Sequence, residues 1–374
     1  MERRKIKIIG IIVIMVIIAL TIFEISITQF AIKDNKDTIK IGFIGPLTGE
    51  GAVVGTENLN GIKLAIDEIN QDNKIKLFVQ DDQYDARQAI DAYNNFVYVQ
   101  GVKIIFINTY DGFLALTDKA EKDNVLLINS LDSSEEFSNL NDNTFSIGIY
   151  DESIGYAIAD YLNNNNAESA GLITNLDDAF STLTKNSFKQ RFKGQVIEED
   201  YSFSTTDFRS ILTKVNTQDN IVMIGWEETG RIVKQAKELN INSEIIGIDT
   251  FVSEDFKKNA GNKENINGLI FTFWQGSENN PKFLNLIDSY KQEHNKDPDN
   301  VLFMTAGYDS ASVLLNAMNQ CNYQEDIKCI KTNLENTKDF QGAAGLITID
   351  DDHVARSIKE SMFIYEDGEV VEIN

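Results

Sequence analysis

The chain has 374 residues, of which 42% are hydrophobic and 10% aromatic, so it encodes a folded protein of one large or two smaller domains rather than a disordered chain. Its formal net charge of −24 repels phosphate backbones and argues against nucleic acid as a partner. Two cysteines and two histidines, without the spacing of a zinc site, leave no basis for a metal, and we expect no cofactor.

The N-terminal segment, residues 1–37, predicts export. Residues 8–23 carry no charge and follow a flank with four basic residues at positions 3–7. This pattern predicts an uncleaved signal anchor, a single membrane-spanning helix whose basic flank lies in the cytoplasm. A cleaved secretory signal is the alternative, although the stretch after Phe23 lacks the small residues of a cleavage site. Either interpretation places residues 38–374 outside the cytoplasm.

From residue 38 onward, short apolar runs alternate with helical periodicity. The runs are typical of buried parallel strands and cover residues 39–44, 76–79, 102–107, 125–128, 170–173, 221–224, 245–248 and 369–373. Asp151 is the expected N-cap of the helix that begins after residue 150. The alternation predicts βαβ units, and its restart near residue 168 predicts two doubly wound α/β lobes. Because such sheets bind ligands beyond the carboxyl ends of their strands, the loops after the strands are the candidate site.

The two cysteines, Cys321 and Cys329, are eight residues apart in the exported part of the chain. A disulfide between them is one interpretation, since an external compartment permits it. Two unpaired thiols are the other, because spacing alone does not show whether their Cβ atoms face each other.

Catalytic motifs are missing from the sequence. The glycines of residues 45–55 fit neither a dinucleotide fingerprint nor a P-loop, and no G-x-S-x-G motif occurs. His294 and His353 lie in polar segments far from any obvious nucleophile. We therefore expect a binding protein and not an enzyme.

Several segments resemble one family. They are IKIGFIGPLTG at residues 39–49, NGIKLAIDEIN at 60–70, QAKEL at 235–239, GYDSA at 307–311 and FQG at 340–342. In this arrangement the sequence resembles the Leu/Ile/Val-binding (branched-chain amino acid) family of ABC-transporter substrate-binding proteins, across residues 38–374. The resemblance implies a type I periplasmic-binding-protein fold, in which two α/β lobes are joined by a hinge of three crossings.

The resemblance also implies the domain boundaries. After the basic flank, signal anchor and linker at residues 1–37, lobe one would comprise residues 38–146 and 273–340, and lobe two residues 147–272 and 341–374.

The family's ligand positions can be carried over to the loops after the strands. Hydroxyls and amides that bind a ligand carboxylate match Thr109 or Tyr110 in one loop, and Leu131, Asp132 and Ser133 in the next. For the hydroxyls, stabilisation of a turn is the competing role. The resemblance assigns Asp249 to the ligand ammonium, with an N-cap as its alternative role, and assigns Trp226 and Phe180 to closure over the ligand.

Two positions depart from the family pattern. Asp132 stands where the family has a small residue beside the ligand carboxylate, and Ser146 stands where an arginine is common. Because an acid repels a carboxylate, a cationic amino acid, an amine or an amide would suit Asp132 better than a branched-chain amino acid.

The resemblance therefore implies a membrane-anchored solute-binding protein that delivers an amino acid or related small amine or amide to ABC permease subunits. A ligand-sensing receptor subunit of the same fold is the alternative, and a secreted enzyme is a more distant one. A receptor would carry a signalling domain, whereas this chain ends directly after the last predicted strand, which favours transport.

Overall fold

The structure is a computed structural model that describes residues 38–49, 51–69, 74–177, 179–274, 276 and 279–373. The predicted signal anchor at residues 8–23 lies outside these ranges. Within them, none of the helices combines the length and the apolar character that a membrane crossing requires.

The strands coincide with the predicted apolar runs and add several that were not predicted. They are β1 (Ile39–Gly45), β2 (Ile75–Asp81), β3 (Ile104–Ile107), β4 (Leu126–Asn129), β5 (Asp132–Ser133), β6 (Thr144–Tyr150), β7 (Ser169–Asn175), β8 (Gln195–Tyr201), β9 (Asn220–Ile224), β10 (Glu244–Gly247), β11 (Ile270–Phe273), β12 (Phe340–Gln341), β13 (Leu346–Ile347), β14 (Val354–Ile358), β15 (Ser361–Glu366) and β16 (Glu369–Ile373).

The α-helices connect these strands. They are α1 (Ala52–Ile69), α2 (Ala86–Asn94), α3 (Tyr110–Asp123), α4 (Glu152–Asn164), α5 (Ala179–Arg191), α6 (Arg209–Val215), α7 (Thr229–Glu238), α8 (Glu254–Ala260), α9 (Lys263–Ile266), α10 (Pro281–His294), α11 (Val301–Gln320) and α12 (Ile327–Glu335). A π-helical turn follows α2 at Asn95–Gln100, and 3₁₀ turns lie at Glu135–Phe137 and Asp249–Val252.

The strands form two large sheets, as the alternating pattern predicts. The first has the order β14-β6-β4-β3-β1-β2, with β5 beside β6, and all of its pairs are parallel. The second has the order β16-β15-β11-β10-β9-β7-β8, in which β15 runs antiparallel to both of its neighbours. Apolar clusters join α1–α3 and α10–α12 to the first sheet, here called lobe one, and α4–α9 to the second, lobe two.

The chain passes between the sheets at three connections. They lie between β6 and α4, between β11 and α10, and between β14 and β15. The prediction assigned all of residues 341–374 to lobe two, whereas β14 pairs with β6 in the first sheet. The sequence does not reveal this third connection. Only Lys359 and Glu360 separate β14 from β15, and no local pattern shows that these two strands belong to different sheets.

Two glycines let helices α1 and α11 cross closely. A Cβ atom at Gly61 would lie 1.9 Å from the carbonyl oxygen of Met304, and one at Gly307 would lie 2.1 Å from that of Asn58. A larger residue at either position would push the helices apart. Asn58 then links both helices to the loop after β4, because its Nδ2 donates to the carbonyls of Ser130 at 2.9 Å and Phe303 at 3.2 Å.

Cys321 and Cys329 form a disulfide that joins the end of α11 to α12. The pairing decides between the two interpretations that the spacing left open. It follows from the turn after α11, which brings the start of α12 back against the end of α11, with the two Cα atoms 6.1 Å apart.

We predict that replacing both cysteines with serine lowers the free energy of unfolding by about 2 kcal/mol, because a short covalent loop restricts the unfolded chain. Thermal unfolding with and without dithiothreitol measures the effect. The reductant should lower the melting temperature of the wild-type protein and leave that of the double variant unchanged. An unchanged wild-type melting temperature, with full reduction shown by thiol titration, contradicts the prediction.

Candidate ligand-binding site

A cavity lies between the two lobes, beyond the carboxyl ends of their central strands. Its lining comes from both sides of the cleft and comprises Val54, Tyr84, Leu131, Asp132, Ile149, Ile154, Phe180, Trp226, Asp249, Phe303 and Glu360. Five of the eight predicted site residues are among them, namely Leu131, Asp132, Phe180, Trp226 and Asp249. The loops after the strands lie at this edge of a doubly wound sheet, which is why residues chosen from these loops line the cavity.

Aromatic side chains close the cavity across the two lobes. Trp226 follows β9 in lobe two, and its ring meets Tyr84 of lobe one edge to face, with ring centroids 5.4 Å apart. The ring of Phe180 also packs against Trp226, with ring centroids 5.8 Å apart. The backbone carbonyl of Trp226 accepts from the N–H and hydroxyl of Thr229, which holds the loop against the start of α7. The contact between Trp226 and Tyr84 therefore joins the two lobes over the cavity.

Asp249 begins the 3₁₀ turn that follows β10 and is buried, with 4% of its surface exposed. Burial raises the pKa of its carboxyl to about 7, helped by the negative charge of Glu227 and opposed by the backbone N–H of Thr250. Asp249 is thus a carboxyl at the cavity wall whose ionised form is disfavoured by burial, and the lining residues that the structure describes include no basic side chain.

Asp132 lies on the lobe-one wall of the cavity. The side chain of Asn129 shapes its loop, because Asn129 Oδ1 accepts from the backbone N–H groups of Leu131 at 3.0 Å and Asp132 at 2.8 Å. Asn129 Nδ2 also donates to the Asp132 carboxylate at 3.3 Å. Ser146, at the position where the family commonly has arginine, donates its hydroxyl to the Asp132 carbonyl at 2.8 Å and supplies no positive charge.

Two further acids at this junction were missed by the sequence reasoning. Glu360 lies on the third connection and lines the cavity, and Asp151 lies on the first connection with 1% of its surface exposed. Burial raises the pKa of each well above its ordinary value, and the charge of Asp249 raises both further. Asp151 does stand at the expected N-cap position of α4, but its side chain makes no capping hydrogen bond to that helix.

The other three predicted residues do not line the cavity. Thr109 donates its hydroxyl to Asp82 at 2.9 Å, Tyr110 donates to Glu136 at 2.7 Å, and Ser133 donates to the carbonyl of Ala355 at 2.6 Å. Each hydroxyl thus has a partner inside the protein. In addition, the described residues contain no group of three or more ligating side chains that could hold a metal ion.

Comparison with known proteins places the chain among binding proteins. A family model described as periplasmic binding protein matches residues 38–366. The Leu/Ile/Val-binding protein BraC3 of Rhizobium johnstonii is 24% identical over 366 residues, which cover 94% of this chain and 98% of that protein.

Solved structures agree with this placement. The leucine binding protein LivK from Thermotoga maritima matches with a TM-score of 0.81 at 24% identity, covering 90% of this chain and 98% of that one. LivJ from Streptococcus pneumoniae, a branched-chain amino acid transporter substrate binding protein in complex with isoleucine, matches with a TM-score of 0.79 at 29% identity, covering 89% and 97%.

We predict that Asp249→Asn stabilises the ligand-free protein more at pH 8 than at pH 5. The folded-state pKa of about 7 exceeds the ordinary value, so the stability that Asp249 contributes is present at low pH and lost as the pH rises through 7. Asparagine carries no charge to desolvate. The difference in free energy of unfolding between variant and wild type should therefore grow by on the order of 2 kcal/mol between pH 5 and pH 8.

Urea unfolding of both proteins at each pH measures this difference. Asp118→Asn, which removes an exposed acid on α3, is the matched control for the loss of one carboxylate. A constant difference for Asp249→Asn would show that burial does not perturb this carboxyl.

Proposed function

Because the chain belongs to the periplasmic binding protein family, we propose that it captures an amino acid, or a related small amine or amide, between its lobes and delivers it to an ABC permease. The predicted resemblance to the Leu/Ile/Val-binding proteins and the predicted type I fold are confirmed. The relatives are solute-binding proteins, and we propose no catalytic activity for this chain.

The observation that carries the proposal is a cavity built from both lobes. Neither lobe encloses it alone, since Asp132 and Tyr84 come from one side and Trp226 and Asp249 from the other. A ligand held by both walls stabilises the arrangement in which the lobes touch.

We propose that the lobes move about the three connections. We assign residues 38–150 and 281–358 to lobe one, and residues 152–273 and 361–373 to lobe two, which revises the predicted division at its third crossing. Because Asp151 and Glu360 lie on two of these connections, closure and ligand contact involve the same segments.

Within the cavity, we propose that Asp249 accepts from a ligand ammonium and that Trp226, Phe180 and Tyr84 cover the apolar part of the ligand. The predicted roles of Thr109, Tyr110 and Ser133 as ligand donors stay proposals. Each would require its hydroxyl to leave the protein partner that it now has.

We further propose that residues 8–23 keep the protein at the cell membrane with residues 38–374 outside the cytoplasm, because the uncharged stretch follows a basic flank. The full chain should stay in the membrane fraction after a carbonate wash, and its N-terminal peptide should be found by mass spectrometry. A mature N-terminus beyond residue 23 would overturn the anchor and leave the binding function intact.

We predict that Trp226→Ala weakens binding by at least about 2 kcal/mol, roughly 30-fold, because it removes the ring that spans the two lobes. The measurement is calorimetric titration of the full chain against a panel of amino acids, amines and amides. Tyr98→Ala, which truncates an aromatic residue with 59% of its surface exposed, is the control and should bind as the wild type does. If no member of the panel binds the wild-type protein, the proposed function is wrong.

A further inference from the structure

The cavity brings several acidic side chains together. Asp132, Asp249 and Glu360 line it, and no lysine, arginine or histidine is among the lining residues that the structure describes. Asp151 adds a fourth carboxylate next to them. A zwitterionic amino acid would leave this charge uncompensated, because its ammonium and carboxylate cancel.

Unsatisfied acceptors at the same place form a second observation. Both carboxylate oxygens of Asp151 and both of Glu360 are buried and make no hydrogen bond of good geometry, and the two residues are 1% and 6% exposed. Thr272 lies close enough to Glu360 to lower its pKa, but its hydroxyl is not positioned to donate well. Buried carboxylates normally have donors, so the oxygens of Glu360, which lines the cavity, indicate that a donor arrives with the ligand. An ammonium group supplies three N–H donors.

The groups predicted to donate hydrogen bonds to a ligand carboxylate already donate to acceptors within the protein. The backbone N–H groups of Leu131 and Asp132 donate to Asn129, and the hydroxyls of Thr109 and Ser133 donate within lobe one. The remaining wall is apolar, with four aromatic residues and four aliphatic ones, namely Tyr84, Phe180, Trp226, Phe303, Val54, Leu131, Ile149 and Ile154. Aromatic faces attract cations and cover methylene groups, whereas they do not hold a carboxylate.

From this combination we infer that the ligand is a small aliphatic diamine or polyamine, a cation with no free carboxylate, held between the carboxylates of the two lobes and the aromatic wall. This inference rests on the proposed function and names the ligand class of the same cavity. One ammonium group lies at Asp249 and Glu360 on the lobe-two side, and another at Asp132 on the lobe-one side.

The raised pKa values of the acids at the cavity agree with the same ligand class. The charges that act on Asp151 are all negative, and burial together with this repulsion keeps the pKa values of Asp151 and Glu360 raised and that of Asp249 at about 7. The groups that face these three carboxyls are also acidic: Asp132, Glu152 and Glu227. A bound cation favours the ionised carboxylates, so binding releases protons and tightens as the pH rises from 6 to 8.

The test is calorimetric titration of the full chain at pH 7 with matched probes. The cationic probes are 1,4-diaminobutane, 1,5-diaminopentane, spermidine and pentan-1-amine, and the others are L-lysine, L-isoleucine and pentanamide. We expect at least one diamine or polyamine to bind at least 10-fold more tightly than lysine, isoleucine and pentanamide. Titration in two buffers of different ionisation enthalpy should show protons released on binding.

The outcomes separate the inference from the proposed function. If isoleucine, lysine or pentanamide binds as tightly as the amines, and Trp226→Ala abolishes this binding, the diamine inference is overturned and the proposed function is supported. Absence of binding by every probe contradicts both. Binding of the amines with no proton release overturns the assignment of the ammonium groups to these carboxylates.

Isosteric variants test the assignment residue by residue. Asp132→Asn and Glu360→Gln should each weaken binding of 1,5-diaminopentane at least 10-fold, while Asp118→Asn on the exposed face of α3 should leave it unchanged. If either cavity variant fails to fold, the comparison of probes on the wild-type protein still decides the inference. Equal affinities in all three variants would overturn it.

Discussion

The structure depends on one electrostatic constraint, the burial of four carboxyl groups where the two lobes meet, with no basic side chain among the described residues that line the cavity. Asp132, Asp151, Asp249 and Glu360 come from both lobes and from two of the three connections. An ionised carboxylate in such a place is costly, so the group either holds a proton or faces a cation. A cationic ligand would therefore lower the free energy of the arrangement in which the lobes touch.

The aromatic contact between the lobes gives this constraint a mechanical consequence. Trp226 contacts Tyr84 across the cleft, beside the acidic wall of the same cavity. Without a cation, attraction between the rings acts against the free-energy cost of burying these carboxyl groups. A ligand that contacts both walls shifts the balance toward closure, which is how differential affinity drives a conformational change. Ligand capture and lobe closure are then one equilibrium.

A fold shared with amino-acid-binding relatives does not determine the ligand of this chain. The positions of the strand-end loops are common to the fold, whereas the charges placed on them belong to the individual sequence. Ser146 contributes a hydroxyl to the loop of Asp132 where an arginine would contribute a charge. We therefore expect the charges on the loops around the cavity to decide which ligand this chain binds.

The sequence by itself determined the two doubly wound lobes and part of the cavity wall. Hydrophobic periodicity is local, and a residue directly after a parallel strand lies at the ligand edge of its sheet, so Leu131, Asp132, Trp226 and Asp249 could be predicted. Tertiary structure alone decided the membership of β14 in the first sheet, the disulfide, and the inward placement of Asp151 and Glu360. These depend on where the chain crosses between lobes and on contacts between residues far apart in sequence, which no local pattern encodes.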